Sequence, residues 1–338
     1  MMGRRKWWCL QWLTTLVFVC LCVTLYYNVE PPHPRMTVEE WKLPTKWILT
    51  EEVEARMTRR RHHLAQVCKE TGLDQPSETN SIRSQEFLIN KMFNLVWCPV
   101  YKAASSTWLW NFNLLAGYTQ QHLLHDIHRP LPLARNRYPR PSEGELLRVL
   151  RMRPAVVSFM IARHPLHRLV SAYRNKIVLN RKDYSKIIKV MKAGHPELGP
   201  SGWGAWLELV PGHVGVPTFR QFVQYILEQH EAHHVLNEHW IPASQFCTPC
   251  LVNYTVLAKV ETLDEDTNYI IFASGIEGMV LPRMVNRSPE IATIDLARHY
   301  LCQLSNKQMQ QLVSLYRYDI LLFEYDVQEY LTCVRYNV

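Results

Sequence analysis

Glycine is scarce in this chain, at 12 of 338 residues, and no segment carries the Gly-x-x-x-x-Gly-Lys-Ser/Thr spacing of a nucleoside-triphosphate loop. With no clear magnesium carboxylate either, a P-loop phosphotransferase ranks last among the catalytic readings. Internal repeats and low-complexity tracts are missing, which argues against a solenoid or a disordered chain. A second Cys-x-x-Cys pair is missing too: Cys247 and Cys250 stand alone, without the partner pair of a zinc module or the strand–CxxC–helix context of a redox centre. Acidic residues are the fewer sign of charge, 30 against 38 Lys and Arg, leaving a formal +8. Such a balance suits an acidic partner, whether a polyanion, a phosphorylated cofactor or an anionic membrane surface.

Charge is absent altogether from residues 7–27, which follow Arg4, Arg5 and Lys6. That length crosses a hydrocarbon core of about 30 Å as a helix. Trp7, Trp8, Tyr26 and Tyr27 stand at its ends, where amphipathic rings favour the interface. A cleaved signal peptide is the competing interpretation, but bulky Tyr26 and Tyr27 occupy the place of a small-residue cleavage site. The organisation expected is a cytosolic tail over 1–6, a signal anchor over 7–27, a lumenal stem over 28–85 and a catalytic domain over 86–338. Six cysteines, Cys68, Cys98, Cys247, Cys250, Cys302 and Cys333, would then lie in an oxidising lumen, where structural disulfides form. Their pairing cannot be deduced from the sequence. Asn253 and Asn286 begin glycosylation sequons, the second followed closely by Pro289.

The stem is expected to hold a helix around Val53–Lys69, with the run Arg59-Arg60-Arg61-His62-His63 on a solvated face. Phe93–Cys98 reads as a strand, Ser105–Ala116 as a helix with Trp108, Leu109, Phe112 and Leu115 on one face, and Ala155–Ala162 as a second strand. A helix through Arg168, Tyr173 and Lys176, another over Phe219–Glu228, a strand over Val256–Val260, and helices over Thr262–Ala273 and Asn306–Tyr318 complete the pattern. Strands alternating with helices indicate an α/β fold with a central parallel sheet flanked by helices.

Between the first strand and its helix lies Pro99-Val100-Tyr101-Lys102-Ala103-Ala104-Ser105-Ser106-Thr107-Trp108. Small residues there let backbone approach a ligand, N–H groups at the helix start point at an anion, and Lys102 adds a mobile cation. Taken alone, a capped structural turn explains this segment as well. A second segment, Ile161 to Lys176, puts Arg163 at a strand end and Ser171 two turns into the next helix, where both can converge on one phosphate. Arg168, Arg174 and Lys176 would enlarge the positive field.

Together these segments resemble the Golgi carbohydrate sulfotransferase family that includes the chondroitin and dermatan 4-O-sulfotransferases and the HNK-1 sulfotransferase. The family's first motif is similar to Lys102–Trp108, with Tyr101 replacing a proline; its second is similar to Ala162–Lys176, departing at His164, Leu166 and His167. Asn237-Glu238-His239-Trp240, Cys247-Thr248-Pro249-Cys250, Lys259 to Asp266 and Tyr316 to Tyr325 continue the likeness in order, so it covers about Phe93 to the C-terminus.

The resemblance implies a P-loop-like sulfotransferase fold and PAPS as sulfuryl donor, released as PAP, with no metal. Lys102, Ala103, Ala104, Ser105, Ser106 and Thr107 would hold the 5′-phosphosulfate, and Arg163 and Ser171 the 3′-phosphate. Lys102 would also stabilise the leaving oxygen. A sugar hydroxyl needs a base, and His128 is the first choice, with His125, Asp126 and His239 behind it. The acceptor expected is a glycan, foremost the 4-hydroxyl of N-acetylgalactosamine in a chondroitin- or dermatan-type glycosaminoglycan. The Golgi membrane would be the second partner and nucleic acid none. An inactive family member that binds glycosaminoglycan is the alternative.

Overall fold

The computed structural model describes residues 51–77, 80–125, 130–152, 156–180, 182–199, 215–280 and 290–335. The candidate span at 7–27 lies outside them, and no helix among the described residues is long and apolar enough to cross a membrane. A four-stranded sheet of order β1-β2-β3-β4 forms the centre, with β1 Leu88–Asn90, β2 Leu95–Cys98, β3 Val157–Ala162 and β4 Val256–Lys259. β2 and β3 run parallel with Val96 opposite Ser158, and β3 and β4 run parallel with Ile161 opposite Ala258. All four residues of β2 are buried, as expected of a short apolar run covered on both faces. β1 is the departure from an all-parallel sheet: it pairs antiparallel on the β2 edge, with Leu88 opposite Trp97.

Helix α1 (Glu51–Thr71) lies in the segment expected to be stem, yet it buries Val53, Met57, Leu64 and Val67 in the core of the sheet domain. Its basic run is only partly solvated. Arg60 is buried and donates to Asp266 at 2.7 Å, to the Leu257 carbonyl at 2.9 Å and to Thr262 at 2.8 Å. Disulfides Cys68–Cys250, Cys98–Cys247 and Cys302–Cys333 use all six cysteines expected in the lumen. The two cysteines of the Cys-x-x-Cys pair therefore tie to different elements, one to α1 and one to the end of β2.

Helix α2 (Ser105–Leu115) is set over the sheet by aromatic packing: Trp108 lies 4.5 Å from Phe159, and Phe112 lies 5.3 Å from Trp97, between ring centroids. α3 (Gln120–His125), α4 (Pro130–Arg137) and α5 (Glu143–Leu150) follow. After β3 comes α6 (Pro165–Ala172), which opens into a π-helical segment, Tyr173–Leu179, and then α7 (Ser185–Gly194). α8 (Phe219–Glu231) and α9 (Ala243–Cys247) precede β4. Beyond β4 come α10 (Leu263–Ser274), α11 (Glu290–Leu301), α12 (Asn306–Leu315), α13 (Arg317–Leu322) and α14 (Gln328–Arg335). The arrangement is α/β, a mostly parallel sheet flanked by helices.

Candidate functional site

In open α/β sheets, ligands meet the protein where the parallel strands end. The loop 99–104 leaves the end of β2 there, and Arg163 directly follows the end of β3. The loop turns without glycine: Lys102 (φ 69) and Ala104 (φ 58) both occupy the left-handed region, at a cost of about 1–2 kcal/mol each. Its base is anchored by the Cys98–Cys247 disulfide. Ala104 precedes α2, and no side chain caps that helix start. The first turn thus presents its positive end toward the loop mouth, an arrangement suited to an anion. Ser105 and Thr107 are buried within it and Ser106 is exposed.

Arg163 reaches across to this loop, and its Nη1 donates to the Lys102 carbonyl at 2.8 Å. Ser171, one face along α6, is half-buried and its hydroxyl makes no hydrogen bond among the described residues. Lys176 sits in the π-helical segment with its ammonium 5.8 Å from the Tyr184 ring centre. Such wide turns often re-aim side chains at functional sites. Burial, reinforced by the nearby Lys176 and Arg163 cations, holds the Lys102 ammonium down at a pKa of about 8. Desolvation likewise lowers Arg163, against a pull upward from Glu261. The sequence motifs have therefore brought at least three cations to one edge of the sheet.

His239 joins them. Its Nδ1 lies 2.8 Å from Asn237 Oδ1 and 3.3 Å from the Tyr184 hydroxyl, and its ring packs against Tyr101 with centroids 4.9 Å apart. Because Asn237 Oδ1 only accepts, this places the proton on Nδ1 and leaves Nε2 as a lone-pair acceptor. Burial, then Lys176, Lys102 and Arg168, depress the imidazole to about 3, so it is neutral. Tyr101, which replaces the proline of the resembled motif, fills the space between His239 and Phe246 and leaves the Lys102 turn intact.

Other candidates fall elsewhere. His128, Asp126 and Asn286 lie outside the described residues, and His125 is exposed at the end of α3. Asn253 is exposed on the turn before β4. Arg168 adds to the positive field felt by His239 and Arg163, but from within the core rather than from the cleft wall. It is 2% exposed and donates to the Ile241 carbonyl and, at 3.4 Å, to that of His239. Its neighbours Tyr316 and Asp319 hold the same segment, Tyr316 donating to the Trp240 carbonyl at 2.6 Å and Asp319 accepting from the Ala243 and Ser244 amides at 2.7 Å. The tyrosine- and aspartate-bearing motif near the C-terminus thus supports the strip that presents His239. Asp266 is a core-network group: fully buried, it accepts from Arg60, Arg56, Thr262 and the Lys259 amide. Among the described residues no set of three or more His, Cys, Asp or Glu is placed to hold a metal ion.

Comparison with known proteins gives a consistent picture. A profile of the sulfotransferase family matches residues 85–326. Carbohydrate sulfotransferase 11 of Danio rerio is 30% identical over 257 residues, covering 73% of this chain and 69% of the relative. Carbohydrate sulfotransferase 14 of Danio rerio is 25% identical over 321 residues, 88% of this chain and 80% of the relative. Carbohydrate sulfotransferase 9 of Homo sapiens is 27% identical over 289 residues, 83% and 61% respectively. No solved structure matches.

Proposed function

This chain belongs to the sulfotransferase family and is a carbohydrate O-sulfotransferase, and from that premise we propose its acceptor as the 4-hydroxyl of N-acetylgalactosamine in a chondroitin- or dermatan-type glycosaminoglycan. The family implies PAPS as the donor. The observation that carries the site is the meeting of Lys102 and Arg163 beside an uncapped helix start, with Arg163 Nη1 donating to the Lys102 carbonyl at 2.8 Å. Two anionic ends of one nucleotide need two cationic positions. The loop residues Lys102 to Thr107 suit the 5′-phosphosulfate, and Arg163 with Ser171 suits the 3′-phosphate.

When bound, PAPS supplies a sulfuryl group already attached to a phosphate leaving group. The residues of this chain position it for in-line displacement and meet the charge that grows on the departing oxygen. Lys102 is the cation for that oxygen, and its ammonium is present below a pH of about 8 in the free protein. His128 is the proposed base for the sugar hydroxyl. A second assignment rests on a specific observation: His239 is neutral, fixed by Asn237 and Tyr184, and keeps Nε2 as an acceptor next to the Lys102 and Lys176 cations. The variants His128→Ala and His239→Ala separate them. Loss of the base lowers turnover about 10²–10⁴-fold with PAP affinity unchanged, and the variant that keeps turnover is not the base. The acceptor is tested by sulfating desulfated chondroitin, dermatan and heparan chains and mapping the disaccharides. Label at a position other than the 4-hydroxyl, or on heparan alone, refutes the acceptor proposed.

A Golgi location, with residues 7–27 as a type II anchor and the catalytic domain lumenal, belongs to the same proposal. Three disulfides are in keeping with an oxidising compartment, and Asn253 is exposed as a glycan acceptor must be.

A further inference from the structure

Arg163 stands where the nucleotide site proposed above needs a 3′-phosphate ligand, yet its Nη1 is already committed to the Lys102 carbonyl at 2.8 Å. That carbonyl belongs to a turn with two non-glycine residues in the left-handed region, Lys102 at φ 69 and Ala104 at φ 58. Such a turn persists only when its surroundings over-determine it. The disulfide at Cys98 anchors the base of the loop, and Tyr101 is wedged between His239 and Phe246. Arg163 supplies the one hydrogen bond that any side chain among the described residues gives to the Lys102 peptide oxygen.

We propose that Arg163 is a positioning residue for Lys102: by holding the left-handed turn it sets where the Lys102 ammonium stands, and so couples the 3′-phosphate site to the sulfuryl-transfer loop through one side chain. The guanidinium is a planar fork with five N–H donors, so one edge can bind the loop carbonyl while the others bind phosphate. Its remaining donors make no hydrogen bond among the described residues. A lysine at 163 keeps the charge but has no fork, so it cannot serve both partners in the same geometry. The inference rests on the proposed nucleotide site and goes beyond it, because a simple 3′-phosphate ligand has no reason to affect the other end of the nucleotide.

Electrostatics supply a control on the same variants, expected from the charge of Arg163 alone. The charged and titratable groups facing Lys102 are Arg163 at the end of β3, Lys176 from the π-helical segment and His239 from the strip before α9. His239 is neutral, so the two cations are the groups that add to burial in lowering Lys102. Removing the Arg163 charge must therefore raise the pKa of Lys102 and move the alkaline limb of kcat/KM to higher pH.

The test uses the full chain in detergent, comparing wild type with Arg163→Gln and Arg163→Lys. Binding of PAP and of adenosine 5′-phosphosulfate, which lacks a 3′-phosphate, is measured by calorimetry beside kcat, KM and their pH profiles. Positioning predicts that Arg163→Gln weakens adenosine 5′-phosphosulfate about tenfold, the scale of one lost charge-assisted hydrogen bond. It also predicts that Arg163→Lys regains PAP affinity but keeps a kcat about tenfold low; the rise of the alkaline limb in Arg163→Gln follows from the lost charge alone and serves as a control that the site is intact. The lysine variant guards against misfolding of the neutral one. Unchanged adenosine 5′-phosphosulfate affinity in both variants, with PAP affinity alone reduced, overturns the inference while leaving the nucleotide site in place. A wild-type protein that binds neither nucleotide overturns both.

Discussion

Replacing Arg168 with methionine separates support from ligand binding. The side chain is 2% exposed and donates to the carbonyls of Ile241 and His239, while buried Asp319 nearby holds the Ala243 and Ser244 amides. Methionine fills much of the same volume but leaves two carbonyls unsatisfied and Asp319 without its countercharge. Breaking a buried charge arrangement from one side costs about 3–5 kcal/mol, a large part of the roughly 5–15 kcal/mol that holds a domain folded. Burial already raises the Asp319 pKa, and the Arg168 cation pulls it back down. With the cation gone the folded-state pKa rises further, so the folded protein binds more protons than the unfolded one and stability falls as pH increases. The deficit should therefore be smaller near about pH 5 than near about pH 8. Denaturant titration at both values gives the stability, and calorimetry gives PAP affinity for the folded fraction, which should stay within about threefold of wild type. Loss of PAP affinity by tenfold or more without loss of stability would make Arg168 a phosphate contact and refute this account.

Other outcomes follow from the same contacts. Asp266→Ala should cost about 3–5 kcal/mol of stability, seen in denaturant melts, because Arg60 and Arg56 lose a shared buried partner; the folded fraction should keep its PAP affinity. In wild type, kcat/KM should fall as pH rises through about 8, where Lys102 loses its proton in the free protein, and a flat profile to pH about 10 would remove Lys102 from that role. Glycosidase treatment of the protein expressed in mammalian cells should lower its apparent mass, and Asn253→Gln should abolish most of that shift; no shift in wild type would argue against a lumenal domain.

Much of the scaffold was legible because its signals are local. The apolar run ending at Cys98 and the apolar face of Trp108 and Phe112 predict β2 and α2 to within two residues, and the strand before Arg163 is equally clear. β1 was not expected: three residues carry too little periodicity, and their strand character depends on pairing with β2. Helix α1 was visible as a helix, but its apolar stripe does not say which surface it meets, and its place in the core rests on β4 contacts, Arg60–Asp266 and Cys68–Cys250. Disulfide partners were illegible for the same reason, since only the folded topology brings Cys98 to Cys247. At the candidate site, Lys102 and Arg163 were singled out by residue type and strand-end position. That Arg168 turns into the 239–244 strip while Arg163 turns to the Lys102 loop depends on where α6 sits against that strip, which five residues of spacing cannot reveal. The signal for His239 was present in its Asn-Glu-His-Trp motif, but the tautomer set by Asn237 needed the geometry.

The most direct test of the central claim is transfer of labelled sulfate from PAPS to desulfated chondroitin, with wild type run beside Lys102→Ala and Arg163→Ala. Wild type should sulfate the chain, and Lys102→Ala should lose on the order of a hundredfold or more in turnover, as expected when a charge-stabilising group is removed from the transition state. Arg163→Ala should lose donor affinity as well. Transfer at the wild-type rate by both variants would contradict the assignment of this cleft as the place where the sulfuryl group moves.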